Sequence, residues 1–332
     1  MSARLERWLL QRWYGGVAPG AGLRLLSLVY RALWLLRDVA YRLGLSRSER
    51  VSVPVIVIGN LVAGGSGKTP LCIALARHLA ASGWRPGVVS RGYGRRSRDP
   101  LRVTADSTAA DCGDEPLLIA QRTGLPVQVD RDRVAAARAL IADGCNLILA
   151  DDGLQHRRLA RDIEIEVVDG ERRYGNGQLL PAGPLRELAG RAVDFRVVNG
   201  DATRLDAWSM HFRLGDAQPL HGGAGRPLAA FAGKTVHAIA GIGNPGRFFS
   251  GLRALGLDPV EHAFPDHHAY RREELQFFPP APLLMTEKDA VKCRSLALQD
   301  AWVVPVEAEL PESLLAALDQ RLSELRPDVR TP

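Results

Sequence analysis

The chain has little lysine, little cysteine and no long uninterrupted apolar run, and each scarcity narrows what it can be. Of its 43 basic residues only Lys68, Lys234, Lys288 and Lys292 are lysines, so each lysine is worth inspecting for a specific task. The four cysteines, Cys72, Cys112, Cys145 and Cys293, are scattered without a C-x-x-C pair. That pattern argues against a disulfide scaffold and against a thiolate zinc site, and it points to a reducing compartment. No stretch of about 20 uncharged residues exists, which argues against a transmembrane helix. What remains is ordinary globular material: 46% apolar and 24% charged residues over 332 positions, enough for two packed domains. A net charge of +6 suits nucleic acid, anionic lipid or phosphorylated substrates without choosing among them.

Residues 22–45 are rich in leucine and aromatics but interrupted by Arg24, Arg31, Arg37 and Arg42. Arg24 also breaks the apolar core that a cleaved signal peptide needs. At about 100° per residue, Leu26, Val29, Leu33, Leu36, Ala40 and Leu43 fall on one helix face, opposite Arg24, Arg31 and Arg42. Arg37 lies at the edge of the apolar stripe and must snorkel outward. With Tyr30, Trp34 and Tyr41 near the boundary, such a helix fits a membrane interface. It fits packing on its own domain equally well.

From Val51 the sequence turns to strand, glycine-rich loop and helix. Val55 to Ile58 reads as a strand buried on both faces, and Thr69 to Ala81 as a helix ended by Gly83. Between them Val62, Ala63, Gly64, Gly65, Ser66, Gly67, Lys68 and Thr69 form a phosphate-binding loop. Its glycines let amides turn toward a phosphate at the positive end of the helix, while Lys68 reaches the β and γ phosphates and Thr69 ligates Mg2+. Valine stands at position 62, where the strict motif has glycine. A second apolar strand, Asn146 to Ala150, ends in Asp151-Asp152, placed to hold the magnesium shell at a carboxyl strand edge.

Other segments carry both structural and chemical readings. Gly113-Asp114-Glu115-Pro116 puts two carboxylates at a helix start, as a cap or as a catalytic pair. Phe264-Pro265-Asp266-His267-His268 supplies histidines that an acid/base pair with a distant carboxylate could use, with zinc as the competing reading. The basic loop around Arg91 and Tyr93 suits a substrate phosphate or simply water. The long Gly- and Pro-punctuated stretch from Gly175 to Glu187, with Asn176 and Arg186, has the length of a functional loop. Residues 238–246, AIAGIGNPG, read as a strand entering a helix turn rather than a dinucleotide fingerprint.

Taken in order, GNLVAGGSGKTP, SRGYGR, GDEP, ADDGLQH, GNGQLLPAGPLRE, GIGNPGRFF, FPDHH and MTEKDAVK resemble the tetraacyldisaccharide 4'-kinase family of the lipid A pathway, from about Val51 to Lys292. The resemblance implies transfer of the ATP γ-phosphate to the 4'-hydroxyl of an acylated disaccharide 1-phosphate at the cytoplasmic face of a bacterial inner membrane. It implies that Asp114 and His267 form the acid/base dyad and that Glu115, Asp151 and Asp152 serve magnesium. It also implies a peripheral, monotopic attachment and raises the interfacial reading of the N-terminal helix. The family's loop likewise lacks the first glycine.

The expected architecture is an amphipathic segment over 1–50, a P-loop α/β domain with a mostly parallel sheet over 51–229, and a smaller α/β domain over 230–332. The smaller domain would carry strands at 235–240, 282–285 and 301–305 and helices at 246–255 and 311–325. A monomer without nucleic-acid partners is expected. The rivals are a regulatory or metallochaperone GTPase, with Thr286-Glu287-Lys288-Asp289 imitating a base-reading motif, and a non-catalytic nucleic-acid-binding module.

Overall fold

The β-branched run at Val55 to Ile58 is fully buried, as a strand covered on both faces must be, and forms β1 (Val55–Gly59). A computed structural model describes residues 3–202 and 206–325. The further strands are β2 (Pro86–Ser90), β3 (Leu101–Arg102), β4 (Val127–Val129), β5 (Leu147–Ala150), β6 (Ile163–Asp169), β7 (Phe195–Asn199), β8 (Trp208–Leu214), β9 (Gln218–Pro219), β10 (Val236–Ala240), β11 (Pro259–Ala263), β12 (Leu283–Thr286), β13 (Ala301–Val304) and β14 (Val306–Glu309). The α-helices are α1 (Ala3–Tyr14), α2 (Ala21–Arg42), α3 (Lys68–Ala81), α4 (Ala109–Cys112), α5 (Asp114–Thr123), α6 (Arg133–Ala142), α7 (Pro245–Ala254), α8 (Glu287–Cys293) and α9 (Glu312–Leu325).

The first sheet runs β14-β8-β7-β6-β1-β5-β2-β4-β3, parallel from β8 to β4 and antiparallel at both edges. Leucines of α3, α5 and α9 pack on one face against Ile56, Ile58, Leu147 and Leu149. Val134, Ala137 and Leu140 of α6 cover Val55, Val57 and Ile148 on the other. This is a doubly wound sheet, whose carboxyl strand edge is where ligands bind. The second sheet, β11-β10-β12-β13-β9, is parallel except at β9 and has its own core around Phe248, Leu252 and Trp302.

The sheets do not divide the chain at a single point near 230. β9 joins the second sheet before that point, and β14 and α9 return to the first. Pro305, which cannot donate to a ladder, follows β13 and turns the chain. Val306 to Glu309 then pair with the free edge of β8, and Leu314, Leu318 and Leu322 of α9 bury on the first core. The crossings between the sheets lie side by side: Gly215 N–H donates to Pro305 O at 2.9 Å.

The N-terminal helix has its faces assigned by its contacts. Ser27 donates to Leu179 O, Tyr30 to Arg186 O, and Asp38 pairs with Arg157. Leu25, Leu26, Leu28, Val29, Leu33, Leu36, Val39 and Leu43 all point outward, Leu33 at 61% and Leu36 at 67% exposure. Tyr30 therefore belongs to the inner, docking face instead of the outer boundary, because its hydroxyl finds a carbonyl there. No helix among the described residues is long and apolar enough to cross a membrane.

Candidate active site

The loop between β1 and α3 wraps inward because two of its glycines adopt left-handed backbone, Gly64 at φ 111° and Gly67 at φ 98°. Gly65 allows a close approach: a Cβ there would lie 3.3 Å from Gly243 Cα, in the turn before α7. Residues 63–69 line a cavity of about 1180 Å³ between the two sheets. That volume exceeds the ~300–1,000 Å³ of a typical single-ligand pocket. Val62 does not line it. Its side chain is buried, and its backbone bridges Leu185 in the long loop. An extended, packed residue has no need of glycine, which explains the departure from the strict motif.

Lys68 Nζ lies 3.3 Å from Asn60 Oδ1 and 3.6 Å from Asp152 Oδ1. Burial works against the Asp152 charge, but Lys68, Arg186 and Arg133 outweigh it and hold the carboxyl well below its ordinary range. Asp151 is the reverse case. It is buried behind Asp152, both carboxylate oxygens lack a hydrogen-bond partner, and burial together with Glu115 and Asp152 pushes its pKa up to about 7. An orphaned buried carboxylate beside Glu115 is a hard-oxygen donor that a divalent cation would satisfy. Among the described residues no three acidic, histidine or cysteine side chains form a ready metal cage. Mg2+ does not require one, since it is held by one or two carboxylates together with substrate phosphates.

Across the cavity, Asp114 and His267 meet from different sheets. Asp114 opens α5 and is 5% exposed; its Oδ2 lies 3.0 Å from His267 Nδ1. Burial opposes both charges, yet the shared hydrogen bond lowers the Asp114 pKa and raises that of His267. Tyr93 lies over the imidazole with ring centroids 4.9 Å apart. His268 turns away to Glu274 at 3.3 Å, so of the two histidines it is His267 that faces Asp114 and lines the cavity. The GDEP carboxylates thus start a helix, with Glu115 lining the cavity and Asp114 buried against His267.

Other expected residues separate. Arg186 lines the cavity and contacts both Asp152 oxygens at 3.2 Å. Thr69, Glu115 and Tyr93 line it as well. Arg91 is exposed and outside the lining, because its loop leads with Tyr93 instead. Asn176 is also outside: its amide donates to Arg12 O and Ala182 O, which makes it the clamp of its own turn. Lys288, which its motifs offered without a role in the site, has its Nζ 3.0 Å from both Glu115 and Asp266 and 3.9 Å from Asp114. Burial opposes its charge, but those acids raise its pKa above the ordinary lysine value. Its signal was the rarity of lysine. Asp289 is fully buried and accepts from Gly241 N, Tyr270 Oη and Thr286 Oγ1, so the base-reading imitation is a structural hub.

With this geometry in place, the comparisons decide the family. The family model for tetraacyldisaccharide-1-P 4'-kinase matches residues 20–323. The chain belongs to that family. The tetraacyldisaccharide 4'-kinase of Stenotrophomonas maltophilia is 55% identical over 328 residues, covering 95% of this chain and 97% of the relative. That of Xanthomonas euvesicatoria is 53% identical, covering 94% and 95%. Among solved structures, LpxK from Aquifex aeolicus in complex with ATP superposes with a TM-score of 0.75 at 27% identity, covering 91% of this chain and 99% of that one. The family is one of kinases, so the regulatory GTPase and the non-catalytic nucleic-acid module fall away.

Proposed function

We propose that the two halves of this cavity perform one in-line phosphoryl transfer, from ATP to the 4'-hydroxyl of an acylated disaccharide 1-phosphate, as a step of lipid A biosynthesis. The observation that carries it is the Asp114–His267 pair at 3.0 Å, held over the cavity that Lys68 and residues 63–69 also line. With Nδ1 engaged by Asp114, His267 Nε2 is left to take the hydroxyl proton as the oxygen attacks the γ-phosphorus and ADP departs. Lys68 and the loop amides hold the β and γ phosphates. Thr69, Asp151, Asp152 and Glu115 would hold Mg2+, which would supply charge neutralisation to the transferred phosphoryl group. Arg186 and Tyr93 border the space for the sugar.

The outward apolar face of α2, docked through Tyr30 onto the Arg186 segment, supports attachment to the cytoplasmic face of the inner membrane. Leucines entering the acyl boundary would bring the headgroup to the cavity without extracting its chains. The protein acts there as a peripheral monomer with no nucleic-acid partner. Purified protein with labelled ATP and the acylated disaccharide 1-phosphate tests the reading: label must appear on the lipid, and must not with Lys68→Ala. Labelled lipid from Lys68→Ala at the wild-type rate defeats it.

A further inference from the structure

The second sheet's α8 packs beside α5 of the first, and the two helices are matched by charge. Glu287 opens α8, capped by Thr286, whose hydroxyl accepts from Asp289 N. Lys288 follows, so opposite charges stand on consecutive residues of one helix start. They take partners at opposite ends of α5: Lys288 meets Glu115 in its first turn, and Glu287 pairs with Arg122 in its last. Charges in this order admit one register. Sliding α8 along α5 by one turn, about 5.4 Å, breaks both pairs at once, and reversing its direction sets Glu287 against Glu115.

The Glu287 end is tied to the crossing between the sheets as well. Glu287 Oε2 accepts from the N–H of Val306, the residue after Pro305, at 3.0 Å. Arg122 reaches Glu307, on β14 of the first sheet, with its other terminal nitrogen. The Arg122 and Glu287 side chains are only 14% and 12% exposed. Glu287 also forms part of the wall between the main cavity and a second one of about 420 Å³. From there the path to the reacting groups is short. Lys288 Nζ holds Asp266 at 3.0 Å, Asp266 Oδ1 accepts from His267 N at 3.0 Å, and His267 Nδ1 faces Asp114, the first residue of α5.

We infer that Arg122 and Glu287 are positioning residues for the transfer: their pair holds α8 in register on α5 and, through Lys288 and Asp266, aims His267 at the sugar hydroxyl. Desolvation offsets much of what a part-buried ion pair adds to stability, so its contribution here is geometric. The inference rests on the phosphoryl-transfer reading above and adds to it the groups that align the base. The phosphate loop lies on β1 and α3, outside this path, so the pair bears on kcat and leaves nucleotide binding alone.

Initial rates of label transfer by the full chain, per folded molecule, test this. Glu287→Gln keeps the volume and the acceptor for Val306 N–H but removes the charge facing Arg122. It should lower kcat at least about tenfold, since small misplacements of a reacting group are costly, with KM for ATP moved less than about threefold. Glu307→Gln takes a charge from the same arginine within the first sheet's body, and its kcat should stay within about twofold of wild type. Arg122→Met should match Glu287→Gln, and the double variant should be no slower than either single, because all three break one contact. If Arg122→Met does not fold, the two glutamine variants decide by themselves. Full kcat in Glu287→Gln, an equal fall in Glu307→Gln, or losses that multiply in the double variant overturn the positioning pair. Wild-type protein that transfers no label overturns the phosphoryl-transfer reading, and this one with it.

Discussion

Asp114→Asn distinguishes a working base pair from a helix start. The substitution keeps the volume and the first turn of α5 but removes the charge that faces His267 Nδ1 at 3.0 Å. Lys288 keeps Glu115 and Asp266, each at 3.0 Å, so the cluster is not left with an unpaired cation. Losing one part-buried charged hydrogen bond costs about 1–3 kcal/mol, well inside the roughly 5–15 kcal/mol of a folded domain. A positioned general base is worth about 10²–10⁴ in rate, or roughly 3–5 kcal/mol on the barrier. Initial rates of label transfer at saturating ATP should therefore show kcat down by at least about 100-fold with KM for ATP moved less than about threefold. The pH profile adds a sign. The working form of His267 is neutral, so the rate rises with pH through its pKa, which the Asp114 bond lifts above the ordinary imidazole value. Asparagine removes that lift, and the residual activity should have its acid limb at lower pH. A kcat within about threefold of wild type, or an unmoved limb, refutes the assignment.

Asp151→Asn should stabilise the ligand-free protein. A carboxyl raised from 3.8 to about 7 favours folding below its unfolded pKa and loses that contribution as pH rises toward the folded value. The gain is then on the order of 4 kcal/mol at most at pH 8 and smaller at pH 5, readable by denaturant titration at both. The same variant should lose turnover. Val62→Gly, which restores the strict loop motif, should cost about 2–4 kcal/mol through lost burial and added chain entropy, with activity per folded molecule unchanged; urea midpoints and rates together check it. Leu33→Asp with Leu36→Asp, on the outward face of α2, should abolish sedimentation with anionic vesicles while leaving the melting temperature within a few degrees. Unchanged sedimentation would leave that face without a membrane role.

The parts legible in the sequence were those where local chemistry dictates composition. A phosphate loop needs glycines at left-handed backbone, and Gly64 and Gly67 have it; a doubly buried strand needs β-branched residues, and β1 shows them. Asp151 and Asp152 could be placed at a strand end for the same reason. Residues whose meaning comes from distant partners were not legible. Lys288 meets Glu115 across 173 positions, and no spacing in MTEKDAVK announces it. Asn176 and Arg91 looked functional because polar loop residues resemble one another until their bonds are known. Helical periodicity is blind to direction: the stripe on α2 was visible, but that Ser27, Tyr30 and Asp38 hold the body while leucines face outward needed the neighbouring loop. The four-residue β14 is too short to carry a period at all.

The side-by-side crossings at Gly215 and Pro305 make the second sheet an excursion that leaves and re-enters the first at one place. His267 and Lys288 both lie on that excursion, while their partners Asp114 and Glu115 lie on α5 of the first body. The contacts that gather the reacting groups are thus also stitches that fasten the far end of the excursion, so loosening one of them loosens the fold and the site together.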